Sequence, residues 1–325
     1  MNEDLRRYAR IGWVHHLLYP RCLEDPDEHA RTLTEFVARP DMDTFDCCLP
    51  RGAGRRAQLI SRVKACGKSG LAFATHCFPY KKLSLTAIGP HEQARVRMIV
   101  SDMIEQASAM GATGFVFASG GPPPKQATRR HWAAFAEFCR WLCGELKPRG
   151  ITALLEPFDT GIDKCFLYGS TAECVALIEA LLPETDNLKI ELDLAHLPLM
   201  GETLEQAIRT VAPHLMRVHL GNCVLRNRTH PRYGDTHPPI GCPGGEIDVP
   251  ELTIALELLL DVGFLNPDQP GHLILEMTPW ENKTVEETIA EGMVHLLRAW
   301  RAAVPPETKN HSIKIKSHNG VKREK

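Results

Sequence analysis

At 325 residues, 43% hydrophobic and 24% charged, the chain can bury a large core as one domain or as one domain with a tail. A formal net charge of −2 excludes a broad electrostatic footprint for nucleic acid, and no run of about 18 apolar residues is present to cross a membrane. Eleven cysteines, an odd number scattered without CxxC spacing, and an N-terminal stretch MNEDLRRYARIGW without an apolar centre point to reduced thiols and a cytoplasmic setting.

In chain order, short apolar runs with strand character occur at 11–16 (IGWVHH), 43–48 (DTFDCC), 71–76 (LAFATH), 114–119 (GFVFAS), 151–156 (ITALLE), 188–193 (LKIELD), 216–219 (MRVH) and 272–276 (HLILE). Most of the intervening stretches carry helical periodicity. RVRMIVSDMIEQASAMGA places Val96, Ile99, Ile104, Ala107 and Met110 on one stripe and stops at Gly111. The stretch 125–147 repeats Trp132, Phe135, Phe138 and Leu142 at helical spacing, and 171–182, 202–212, 248–261 and 284–303 read likewise. PGGEIDVPEL predicts a loop entering a helix, with Asp248 as N-cap and Pro250 in the first turn, where a missing N–H costs nothing. Eight strand–helix units in about 300 residues predict an α/β fold, a single-domain (β/α)8 TIM barrel over 1–304. A basic tail, 305–325, almost free of apolar residues, is expected to fray. An open doubly wound sheet is the alternative, but it would struggle to bring groups from four successive strands to one point.

Four of these runs end in a chemical group: Glu156, Asp193, His219 and Glu276. In a barrel, catalytic groups project from the C-terminal strand ends, which is where these lie. Two Glu, one Asp and one His form an oxygen-rich set with one nitrogen, suited to Mn²⁺, Mg²⁺ or Co²⁺ and tolerated by Zn²⁺. Alternation along a strand puts Glu191 on the face of Asp193, and Arg217 on the face of His219. Both should lie two residues deeper, roughly 6–7 Å, out of reach of a cation and paired with each other or with nearby polar groups. The paired cysteines Cys47/Cys48 and Cys139/Cys143 read as packing residues.

The segments LLEPFD, ELDLAHLP, RVHLGNC, PGGEID and LILEM, in this order and spacing, resemble the sugar-phosphate isomerase/epimerase group of xylose-isomerase-like barrels, which includes the ketose 3-epimerases. The resemblance runs from about Ile11 to Arg301 and is strongest after Gly150. It implies a divalent-metal enzyme that moves a proton next to a carbonyl. It also implies metal ligation by Glu156, Asp193, His219 and Glu276, and substrate contact by His196 of the Asp-x-x-His motif. Two departures stand out. Asn222 replaces the acid that commonly follows the metal histidine, which argues for one metal ion rather than two. The second strand lacks a terminal glutamate and offers Cys47 and Cys48 instead. The polar stretch Cys223 to Pro243, with His230, Tyr233, Asp235, His237 and four prolines, is expected to serve substrate recognition or as a lid. Asn222, His196 and His237 form the expected substrate-binding set.

This constellation predicts a carbonyl-polarising site in which Glu156 and Glu276 exchange a proton with a keto-sugar or sugar phosphate through an ene-diolate. Epimerisation, aldose–ketose isomerisation and elimination share that intermediate, so a metal-dependent lyase acting on an oxidised sugar or polyol is the alternative. An apurinic-site nuclease and a metal-free carbohydrate-binding barrel are further alternatives. Without a Gly-x-Gly-x-x-Gly helix start or a Walker loop, no nucleotide cofactor is expected. The expected partner is a small carbohydrate, with no nucleic acid or membrane, and homo-oligomerisation is left open.

Overall fold

In the computed structural model of the chain, residues 1–280 and 282–303 are described. The expected tail at 305–325 lies outside the described residues. Eight strands, β1 (Ala9–Val14), β2 (Thr44–Cys47), β3 (Ala72–Ala74), β4 (Gly114–Phe117), β5 (Thr152–Leu155), β6 (Leu188–Asp193), β7 (Leu215–Leu220) and β8 (Gly271–Leu275), form a closed barrel in sequence order. Every neighbouring pair is parallel, and β8 closes onto β1 with Gly12 opposite Ile274. The expected (β/α)8 architecture is therefore present.

Helices α1 (His15–Leu18), α2 (Pro26–Val37), α3 (Ala53–Ala65), α4 (Pro90–Met110), α5 (Arg129–Leu146), α6 (Thr171–Leu181), α7 (His196–Met200), α8 (Leu204–Val211), α9 (Val249–Asp261) and α10 (Val285–Ala302) connect and cover the strands. Their starts follow from local chemistry: Ser170, Thr203 and Thr284 each accept a backbone N–H of the first turn. Asp248 caps α9, and the Glu251 carboxylate accepts the N–H of Asp248 in return. α4 ends at Gly111 in the left-handed conformation.

The strands have two faces with different duties. Outward residues such as Phe45, Phe73, Phe115, Leu155, Ile190, Leu192, Val218 and Leu275 join the helices in one large core. On β3 to β5 the inward residues at the lower level are small or aliphatic, with Ala72, Val116 and Leu154 packed as a separate cluster, whereas β6 and β7 send Glu191 and Arg217 inward. This filled interior floors the barrel, so polar side chains one repeat higher point into a space open only at the C-terminal rim. Strand β1 stops at Val14 and β3 at Ala74, short of the expected 16 and 76; His15–His16 and Thr75–Cys77 curl into helical turns at the rim.

Candidate active site

The C-terminal ends of β5 to β8 bring the sequence-selected groups together. Oxygens of Glu156, Asp193 and Glu276 lie within 4.8 Å of one another, and ligand atoms of Glu156, Glu191 and His219 form an overlapping set at the same spacing. His219 joins the two: its Nδ1 sits 2.6 Å from Glu276 Oε2 and 3.4 Å from Glu191 Oε1. All five residues are at most 3% exposed. Asp193 is fixed by the Ala195 N–H, which donates to its Oδ1 at 2.8 Å. The neighbouring Gly221 is required by this geometry, because a Cβ there would stand 2.5 Å from Asp193 Oδ1.

Glu191 corrects the expectation placed on it. It points into the barrel beside Asp193, but it neither pairs with Arg217 nor lies beyond reach of the cluster. Although Glu191 stands opposite Arg217 in the β6–β7 ladder, the guanidinium crosses the interior to β2. There Arg217 Nε donates to Asp46 Oδ1 at 2.9 Å and Oδ2 at 3.1 Å, and Nη1 donates to the Gly70 carbonyl at 3.1 Å. Asp46 also lies 2.9 Å from His219 Nε2. An Arg217–Asp46–His219 chain thus sets the imidazole with Nδ1 toward the carboxylates, the outer support that ligating histidines usually have. The second strand supplies this aspartate; Cys47 faces the helical core instead.

Burial, followed by the Glu191 and Glu276 charges, pushes the Glu156 carboxyl well above its usual range. Burial likewise pushes Glu191 up to about 8, with His219 opposing and Asp193 and Glu276 reinforcing. Glu276 goes the other way. Burial alone would raise it, but His237, His219 and the His219 hydrogen bond hold it well below the usual range. Both Glu191 carboxylate oxygens and Asp193 Oδ2 are buried without a hydrogen-bond partner. Unpartnered buried oxygens are costly, and a divalent cation is the species that would satisfy several of them at once. The donor set therefore fits the expected metal: Glu156, Asp193, Glu276 and His219 Nδ1 would hold it, with Glu191 as a further carboxylate at hand.

A cavity of about 790 Å³ opens above the cluster. Glu156, His76, Asp235 and His237 line it, whereas Glu276 is packed below against His219. His196 places Nδ1 2.9 Å from the Pro157 carbonyl and Nε2 3.3 Å from Asp193 Oδ2 and 3.4 Å from Asp235 Oδ2. His237, in the left-handed region at φ 46°, holds Nε2 2.9 Å from Asp235 Oδ1 and Nδ1 3.6 Å from Asp193 Oδ2. Lys164 reaches Asp235 Oδ2 at 2.8 Å, and the Asp235 N–H donates to Asp163, so the long loop after β7 is tied to the loop after β5.

Asn222 departs from its expected substrate role. Its Nδ2 donates to the Pro239 carbonyl at 3.0 Å, and its Oδ1 accepts the N–H groups of Glu246 and Ile247. The amide staples the returning end of the 223–243 loop rather than facing the cavity.

Sequence reasoning missed Asp46, His16 and His76. The rings of His16 and His76 lie tilted by 38° with centroids 3.9 Å apart, and their nitrogens lie within 4.8 Å of a Glu276 oxygen. Burial lowers both imidazoles, His76 to about 4, which keeps them neutral. The signal was present: Thr44 and Asp46, Gly12, Val14 and His16, and Ala72, Ala74 and His76 each share one face by alternation. Extending to β1–β3 the parity applied to β5–β8 finds all three.

The sequence profile of the family described as xylose isomerase-like TIM barrel matches residues 41–299. No curated protein sequence matches the chain. Among solved structures, an L-ribulose 3-epimerase superposes with a TM-score of 0.67 at 18% identity, covering 96% of this chain and 100% of that one. A D-tagatose 3-epimerase-like protein gives 0.63 at 15% identity over 94% and 99%. A 3-keto-D-glucoside 4-epimerase from E. coli gives 0.63 at 14% identity over 88% and 99%. At these identities the likeness is one of fold.

Proposed function

The chain belongs to the xylose isomerase-like TIM-barrel family, and from that premise we propose that it is a divalent-metal-dependent sugar epimerase or isomerase acting on a keto-sugar or sugar phosphate. The observation that supports this reading is the clustering of Glu156, Asp193 and Glu276 oxygens, with His219 against Glu276 and unpartnered oxygens on Asp193 and Glu191, beneath a cavity that Glu156 lines and that is large enough for a sugar. The names of the structural neighbours, sugar epimerases in the three cases above, support the same class.

A bound divalent cation, with Mn²⁺ the best match and Mg²⁺, Co²⁺ and Zn²⁺ using the same donors, supplies Lewis acidity toward the carbonyl and neighbouring hydroxyl of the substrate. The chain's own groups do the rest. Glu276, held ionised beside His219, is the carboxylate able to take a proton from the carbon next to the carbonyl. Glu156, which faces the cavity with its carboxyl pushed well above the usual range, is its counterpart for the return of the proton. His237 lines the cavity beside Asp235, where it can hold a sugar hydroxyl, whereas His196 is buried behind it against Asp193 and Asp235.

Incubating the Mn²⁺-loaded protein with free ketohexoses and related keto-sugars in D₂O should place deuterium at a carbon adjacent to the carbonyl. Glu156→Gln and Glu276→Gln should each lose that exchange by orders of magnitude. Retained exchange in both variants would rule out the two-carboxylate scheme, and a product lacking water or another leaving group would assign a lyase.

A further inference from the structure

Away from the catalytic cavity, two histidines and a cysteine meet in the core. His15 opens α1, Cys22 lies in the 3-10 turn Pro20–Leu23, and His29 belongs to α2. All three are at most 3% exposed, and a ligand atom from each lies within 4.8 Å of the other two. None of them lines the cavity over Glu156. Their neighbours fix the proton on each ring. The Thr32 hydroxyl donates to the Glu28 carbonyl at 2.8 Å, so it accepts from His15 Nε2 at 3.0 Å. The Cys48 carbonyl can only accept, so His29 Nε2 donates to it at 3.0 Å. Burial lowers both imidazoles and keeps them neutral. Each ring therefore carries its lone pair on Nδ1, and His15 Nδ1 stands 4.0 Å from Cys22 Sγ.

An imidazole whose far N–H is spent on a protein oxygen, with the other nitrogen turned to a thiol, has the arrangement of a ligating histidine. The donors are one sulfur and two nitrogens, and among the described residues neither ring has a carboxylate partner. Such a soft set suits copper or zinc rather than the hard cations that the carboxylates at the strand ends attract. Two features separate copper from zinc. Structural zinc is almost always four-coordinate, whereas this set supplies three ligands. One thiolate and two neutral imidazoles also balance a single positive charge. A divalent ion would leave a net charge beside Phe36, whose ring packs edge-on against His15 at 5.2 Å between centroids. Three bonds of about 2.0–2.3 Å at trigonal angles place neighbouring donors roughly 3.5–4 Å apart, so the set closes on an ion with small side-chain shifts.

We propose that His15, Cys22 and His29 form a binding site for one cuprous ion, held by the two Nδ1 atoms and Sγ. The Cys22 thiol, which burial pushes up to about 12, releases its proton to solvent as the copper–sulfur bond forms, so the buried complex is neutral and no electron is transferred. Pro20, Arg21 and Glu24 around the turn are exposed, and opening of that short turn admits the ion.

The test is an anaerobic titration of the intact, Mn²⁺-treated protein with Cu⁺ against the chromophoric chelator bathocuproine disulfonate. One Cu⁺ per chain should be retained, and its X-ray absorption spectrum should show one sulfur and two imidazole nitrogens. Cys22→Ser should weaken retention by more than about 100-fold. Thr32→Val, which removes only the acceptor behind His15, should weaken it about 10- to 100-fold. Cys77→Ser, which breaks the neighbouring Cys48–Cys77 thiol contact, should leave it unchanged. No retained copper, a spectrum with two sulfurs and no imidazole, retention unaltered by Cys22→Ser, or tighter binding of Zn²⁺ than of Cu⁺ would each overturn the site. The spectrum of the parent protein decides the matter should Cys22→Ser fail to fold. Deuterium exchange from keto-sugars plays no part in this result, so the site stands or falls apart from the catalytic reading.

Discussion

Arg217→Met removes the cation that neutralises Asp46 inside the barrel. Arg217 is 2% exposed and Asp46 fully buried, and the guanidinium supplies the Asp46 contacts at 2.9 and 3.1 Å as well as a bond to the Gly70 carbonyl. Burial alone would raise the Asp46 carboxyl; Arg217, and next His219, hold it below the usual range. Deleting Arg217 leaves a buried carboxylate with only the His219 imidazole beside it, a loss of about 3–5 kcal/mol in unfolding free energy. Urea denaturation at neutral pH measures this directly. Arg217→Lys, which keeps the charge but not the planar fork, should fall between the parent and the Met variant. Arg217→Met combined with Asp46→Leu should recover at least half of the loss, since replacing a buried ion pair by apolar residues is often near neutral. Calorimetric titration with Mn²⁺ should show about 10- to 100-fold weaker binding in both Met-containing variants, because His219 has lost its support. Arg217→Met within about 1 kcal/mol of the parent, with Mn²⁺ affinity unchanged, would refute the chain from Arg217 through Asp46 to His219.

Two further outcomes follow from single positions. His272 is lowered to about 4, first by burial and then by Arg217, against an ordinary value near 6.5 in the unfolded chain. Between those values the unfolded chain binds a proton that the folded chain does not, so this stability is present above pH 6.5 and lost as pH falls toward 4. The full swing is on the order of 3 kcal/mol; His272→Gln should flatten the acid limb of a stability–pH curve, and parallel curves for variant and parent would contradict it. Gly221→Ala places a Cβ 2.5 Å from Asp193 Oδ1 and 2.9 Å from the Ala195 Cβ. Mn²⁺ affinity should drop about tenfold or more, with an overpacking cost of about 1–3 kcal/mol, and an unchanged Mn²⁺ isotherm would show that Asp193 is not held as described.

The sequence by itself determined the barrel and the ring of polar strand ends, because both depend on local periodicity. Runs such as ITALLE and LKIELD alternate an outward apolar residue with an inward one, and the same parity that sends Leu155 and Leu192 to the helices sends Glu156 and Asp193 inward. The start of α9 at Asp248 was legible for the same reason, since a capping box is written within four residues. Which groups touch across the barrel was not legible, because closure sets those distances and the sequence does not carry them. Glu191 and Arg217 share a rung of the β6–β7 ladder, yet Arg217 spans to Asp46, 171 residues earlier, because a long side chain in a closed interior reaches the opposite wall. Asn222 reads as a polar group at the active rim, but only the path of the 223–243 loop shows that backbone groups of Pro239, Glu246 and Ile247 use up its amide. The ring contacts among Phe78, Tyr80, Phe158 and Phe166 are likewise tertiary: the first two follow β3 and the last two β5, and only the barrel places the two loops side by side.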